Sequence, residues 1–137
     1  MIIENAGSFL VGRLERAKLS DKDRQALLAL ANEETAEELI DLMDEADSIA
    51  DPLALYSVSL VEEGCVGGVD TGSEMVASRL QGKVRAFPYI VTCGPKLEEW
   101  SKQYASDFLL EYWADEIKKR FLGIAAGEVR SHIKDRY

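Results

Sequence analysis

The chain has 137 residues, 47% apolar and 30% charged, enough to bury one core but too few for several. With 25 acidic and 16 basic residues its formal charge is -9, so most of the surface repels a polyanion and nucleic acid is not an expected partner. No run approaches the roughly 18 consecutive apolar residues of a membrane helix. The opening MIIENAGSFLVGRLER sets Glu4 before its apolar patch rather than a basic leader, and the cysteines, Cys65 and Cys93, make neither a metal motif nor a disulfide framework. The expectation is a single cytoplasmic domain over residues 1–137, with no membrane contact.

After a short N-terminal segment containing Phe9-Leu10-Val11, Ser20 stands three residues before Asp23 and can cap a helix running through Leu27, Leu28 and Leu30. Asn32 interrupts it. Thr35-Ala36-Glu37-Glu38 reads as a second capping box, opening a helix that buries Leu39, Leu42, Met43 and Ala46 and turns Glu37, Glu38, Asp41, Asp44 and Glu45 to solvent. Asp44, Asp47 and Asp51 lack the alternation and central glycine of a calcium loop, and Asp51-Pro52 ends the helix.

From Ala54 the period changes to two. Ala54, Tyr56, Val58 and Leu60 share one face of a strand, and Glu62-Glu63-Gly64 then turns the chain into a short return through Cys65-Val66 and Val69. Ser73 caps a short helix through Leu80 that Gly82 stops. Val84 to Val91 reads as a strand covered on both faces, with Pro88 marking a bulge or an edge.

Thr92-Cys93-Gly94-Pro95 is the joint between that strand and a helix whose buried stripe is Leu97, Trp100 and Tyr104. Ser106-Asp107 starts the last helix, with Leu109, Trp113, Ile117 and Phe121 inward; Gly123 and Gly127 on it imply that another element approaches closely. The order of elements defines an α+β fold with a small sheet.

Three groups of residues invite a chemical reading. Cys93 sits where the positive end of a helix would favour a thiolate, against which stand the missing second cysteine and the frequency of buried cysteine as packing. The backbone amides of Gly94 and Lys96, beside Thr92, offer donors for an anion or carbonyl oxygen without any reactive sulfur. Asp107, Glu111 and Asp115 recur every four residues and would line a pocket for a cation, although a capping Asp followed by a solvated acidic edge accounts for the same pattern. His132 reads as a surface residue of the last helical turns.

Taken together, Pro52-Leu53-Ala54-Leu55-Tyr56-Ser57-Val58, the Ser73 to Leu80 helix ending in Leu80-Gln81-Gly82-Lys83-Val84, and the strand closing in Thr92-Cys93-Gly94-Pro95 make the chain resemble the activation (reactivation) domain family of vitamin B12-dependent methionine synthase. The resemblance covers roughly Leu10 to Ala126 by order of elements. It implies a twisted, mainly antiparallel sheet with flanking helices. It also implies binding of S-adenosylmethionine and docking on a corrinoid-binding protein or domain that carries the cobalamin. Thr92, Cys93, Gly94, Lys96, Asp107 and Glu111 are the expected ligand-binding residues. The family's Arg-x-x-x-Gly-Tyr/Phe segment, which contributes to S-adenosylmethionine binding, has no counterpart here, and Cys93 stands where the family has leucine. Docking to a corrinoid protein is the part of the family's role that carries over. The competing expectation is a non-catalytic scaffold that forms a homodimer.

Overall fold

The computed structural model describes residues 1–7, 9–14 and 17–137. Two strands, β1 (Ile2–Ala6) and β2 (Phe9–Arg13), open the chain as an antiparallel hairpin with Ala6 opposite Phe9. Helix α1 (Asp21–Leu28) is capped by Ser20, whose hydroxyl accepts from Asp23 N–H at 3.1 Å. Helix α2 (Ala36–Ile49) follows, but Thr35 makes no side-chain cap. Its hydroxyl instead pairs with Asn32, which closes the turn between the helices and replaces the expected capping box.

The expected single strand from Ala54 to Leu60 is two strands, β3 (Leu53–Tyr56) and β4 (Ser59–Glu62), in different sheets. The break is at Ser57, whose N–H donates to Pro88 O at 3.1 Å while its hydroxyl pairs with that of Ser59. Strands β5 (Cys65–Val66) and β6 (Val69–Asp70) return through two tight turns. Glu63 and Gly64, then Gly67 and Gly68, all have positive φ, as a two-residue turn matched to strand twist requires. After α3 (Glu74–Leu80), capped by Ser73, the chain forms β7 (Arg85–Ala86) and β8 (Tyr89–Thr92). The expected continuous strand over 84–91 is therefore also divided, because Pro88 lacks the ladder donor and lets the chain step from one sheet to the other.

The fold is thus α+β; the described residues form two antiparallel sheets rather than one, ordered β1-β2-β3-β8 and β6-β5-β4-β7, and five helices. Helix α4 (Pro95–Lys102) begins with Pro95 in its first turn, and α5 (Phe108–Arg136) is capped by Asp107, which accepts from Leu109 and Leu110 N–H at 3.1 Å. At 29 residues, α5 is about 43 Å long and holds two cores together. Its first half buries Trp113, Ile117 and Phe121 against Leu27 of α1, Leu39 and Met43 of α2 and Leu97 of α4. Its second half lays Val129 and Ile133 on the first sheet, against Ile3, Leu10, Ala54, Tyr56 and Val91. Leu109, expected inside, is exposed, and the buried row runs Trp113, Ile117, Phe121, Ala125, Val129. A side chain added at Gly123 or Gly127 would meet nothing, so close approach does not explain those glycines.

Asp47, and Asp44 and Glu45 of the face of α2 expected to be solvated, are committed to structure. Asp47 accepts from Leu19 N–H at 2.8 Å and pairs with Arg24, which also holds Asp44 at 2.9 Å. Glu45 accepts from Trp100 Nε1 at 2.9 Å and from Tyr104 Oη at 2.8 Å, which ties α2 to α4. Burial and that carboxylate push the Tyr104 hydroxyl up to about 12.

Candidate functional site

At the strand-to-helix joint, Gly94 has φ 96° and ψ 153°, a conformation essentially confined to glycine. The reason is on the other side of the turn: the carboxylate and the carbonyl of Asp51 lie against its Cα, where a side chain would stand. Gly94 N–H donates to Thr92 Oγ1 at 2.9 Å, and Gly94 O accepts from Glu98 N–H at 3.2 Å. One of the two amides expected to recognise a ligand is therefore satisfied within the turn, and Asp51 takes the space above it. Lys96 and Thr92 are exposed beside this packed corner.

Cys93 is buried, 3% exposed, and packs in the helical core with Leu97 and Trp100. Its thiol donates to Glu98 Oε1 at 3.2 Å, and Glu98 Oε2 meets Lys118 Nζ at 3.3 Å. Burial, reinforced by that carboxylate, pushes the Cys93 thiol up to about 12. The hydrogen bond from Cys93, with Lys118 adding to it, holds Glu98 below the usual carboxylate range. The helix end would favour a thiolate, but desolvation dominates, and the thiol keeps its proton and spends it on the hydrogen bond to Glu98.

Asp107 and Glu111 do not join this corner. They stand exposed past the far end of α4, about 12 Å away at 1.5 Å per residue, with Asp107 spent on capping. Asp115, the third acid of that row, pairs with Lys119 at 3.4 Å. No group of three or more His, Cys, Asp or Glu side chains placed to hold a metal ion occurs among the described residues, and no helix is long and apolar enough to cross a membrane.

Two surface features were not legible in the residues alone. The first is the outer face of the β1-β2-β3-β8 sheet. Register places Ile2, Phe9, Val11, Leu55 and Ile90 there, with Glu4 and Arg13 beside them, opposite the face that α5 covers; Ile2, Phe9 and Ile90 are exposed, and among the described residues no helix packs over this side. Ile90 is 68% exposed. This face adjoins an open cleft of about 1310 Å³ between the sheets, lined by Phe9, Val58, Leu60, Val66, Val69 and Pro88.

The second lies where α5 ends against β7 and β8. His132, expected at the surface, is half-buried, its Nε2 2.9 Å from Tyr56 Oη and the rings edge to face. Phe87 and Tyr137 pack with centroids 5.0 Å apart and their rings tilted by 41°, Arg85 lies 5.8 Å from each ring, and Arg136 lies 5.9 Å from Tyr137. Arg130 donates to Tyr89 Oη at 3.3 Å. The seven-residue spacing of Arg130 and Tyr137, two turns on one helix face, was the available signal, but only the tertiary structure shows that β7 and β8 run past it. No protein-family model matches the chain, and no curated protein does.

Proposed function

We propose that this protein is a non-catalytic docking and reactivation partner of a corrinoid (vitamin B12)-dependent methyltransferase such as methionine synthase, binding through the uncovered face of its first sheet. The observation that carries the docking role is that face itself: a row of apolar side chains on a sheet whose opposite side already holds the core. Large exposed apolar patches on soluble domains mark interaction sites. Four strands about 4.8 Å apart and some five residues long give on the order of 300 Å². A stable interface needs about 800 Å² per partner, so the adjoining cleft belongs to the same surface.

An accessory role fits Cys93 better than a catalytic one, because its thiol is buried and held protonated. What supports a corrinoid partner is the resemblance of the Pro52 to Val58, Leu80 to Val84 and Thr92 to Pro95 segments to the activation domain family, together with the α+β architecture it implies. The test is titration with a cobalamin-loaded corrinoid protein, following cobalamin absorbance, and separately with S-adenosylmethionine. A spectral change that Ile90→Glu abolishes supports the reading, and absence of binding to both removes it.

The second reading is a scaffold that self-associates through the same face without a ligand. The filling of the Gly94 corner by Asp51 favours it. Sedimentation over a concentration series separates the two: a dimer that Ile90→Glu dissociates, with no corrinoid binding, selects the scaffold.

A further inference from the structure

Among the described residues, the carboxylates of this acidic chain pair with Arg24, Lys102, Lys118, Lys119 and Arg120. Arg85, Arg130 and Arg136 have no carboxylate partner among those residues, yet they come from two separate parts of the chain and converge on one strip of aromatic rings. Arg130 meets Tyr89, and about 10 Å further along α5 Tyr137 meets Phe87 and is flanked by Arg85 and Arg136. The direction of β8 and of its connection to β7 explains the match, since Tyr89 and Phe87 are two residues apart and antiparallel to the helix. Guanidinium groups held over rings are pre-organised, and they form bidentate bonds to carboxylates.

We propose that Arg85, Arg130 and Arg136, held along the rings of Tyr89, Phe87 and Tyr137, anchor an acidic, carboxylate-bearing segment of the partner protein. The inference rests on the docking reading above and adds a second contact to it: Tyr89 pairs with Tyr56 on the side that α5 covers, so the strip lies around the β8 edge from the uncovered face. The spacing suits an extended peptide, because about 10 Å is three residues of strand. Arginine and tyrosine are also the residues that most often dominate binding energy at interfaces. A short acidic segment is favoured over nucleic acid because a long polyanion would overrun this strip onto a surface whose charge is -9.

The test uses the full chain and a short rhodamine-labelled peptide of alternating Glu and Ala, followed by fluorescence anisotropy. Binding is expected at low salt and weakens as salt rises. The Arg85→Gln/Arg136→Gln variant weakens it about tenfold or more, whereas Arg79→Gln on α3 leaves it unchanged. Circular dichroism checks that each variant remains folded, which the exposure of these side chains favours. Failure of the unaltered protein to bind, equal binding of a Gln/Ala peptide, an equal loss with Arg79→Gln, or tighter binding of a DNA duplex would each overturn the proposal. No corrinoid takes part, so a negative peptide titration leaves the cobalamin experiment standing, and the converse also holds.

Discussion

Replacing Gly94 with alanine perturbs the strand-to-helix joint at its most constrained point. The residue has φ 96° and ψ 153°, where a side chain costs about 1–3 kcal/mol in backbone strain alone. The added methyl would also press on the carboxylate and carbonyl of Asp51, and the carbonyl belongs to the rigid entry into β3. Forcing a carbon into such a space costs about 1–3 kcal/mol more. Together these give a loss of about 4 kcal/mol, or about 15 °C in Tm for a domain of this size. The control is Gly82→Ala, where φ is 74° and nothing lies within reach of the new methyl, so only the left-handed penalty of about 1 kcal/mol applies. Both are measured by urea and thermal unfolding. Adding Asp51→Ala to Gly94→Ala recovers part of the loss and not all of it, because the carbonyl remains. If Gly94→Ala were no worse than Gly82→Ala, the account of this corner as packed shut against Asp51 would be wrong.

Other expected outcomes follow from the same contacts. With Cys65 replaced by serine, iodoacetamide at pH 7 should alkylate Cys93 about a thousandfold more slowly than a free cysteine of ordinary pKa near 8.5; a rate within tenfold of free cysteine in the folded protein would refute the buried, protonated thiol. Because that thiol is raised in the folded state, its contribution to stability is complete below about pH 8.5. It is lost as pH climbs toward about 12, so Cys93→Ala should flatten the alkaline decline in urea midpoint. Gly123→Ala and Gly127→Ala should each raise stability by up to about 1 kcal/mol, since alanine meets open space there and is the better helix former. Asp107→Ala should cost about 1 kcal/mol by freeing the Leu109 and Leu110 amides, seen as a lower Tm without change in docking.

How much of this was legible in order and spacing varies by element. Ser20, Ser73 and Asp107 were readable as caps because a capping side chain bonds to amides two or three residues away. Pro95 at a helix start and the Glu63-Gly64 turn are equally local. The α2 stripe of Leu39, Leu42, Met43 and Ala46 was legible from period alone. Thr35 misled, because its hydroxyl found Asn32 instead of the helix, and a side chain with two local partners does not announce which one it takes. The divided strands misled for a related reason. Alternation continues through Ser57 and Val58, and what stops the strand there is a bond to Pro88, a residue 31 positions later.

The candidate site was legible only as a shape. Glycine followed by proline at a strand end fixes the turn, and the sequence alone determined that joint, the helix starts at Ser20, Ser73, Pro95 and Asp107, the acidic composition and the α+β class. All of these depend on interactions spanning a few residues or on composition. Tertiary structure decided that Asp51 fills the turn, that burial outweighs the helix end at Cys93, that one sheet face is left bare, and that three arginines gather on a strip of rings. Those outcomes depend on which distant segments come to share a dielectric and a volume, and such pairings carry no periodic trace along the chain.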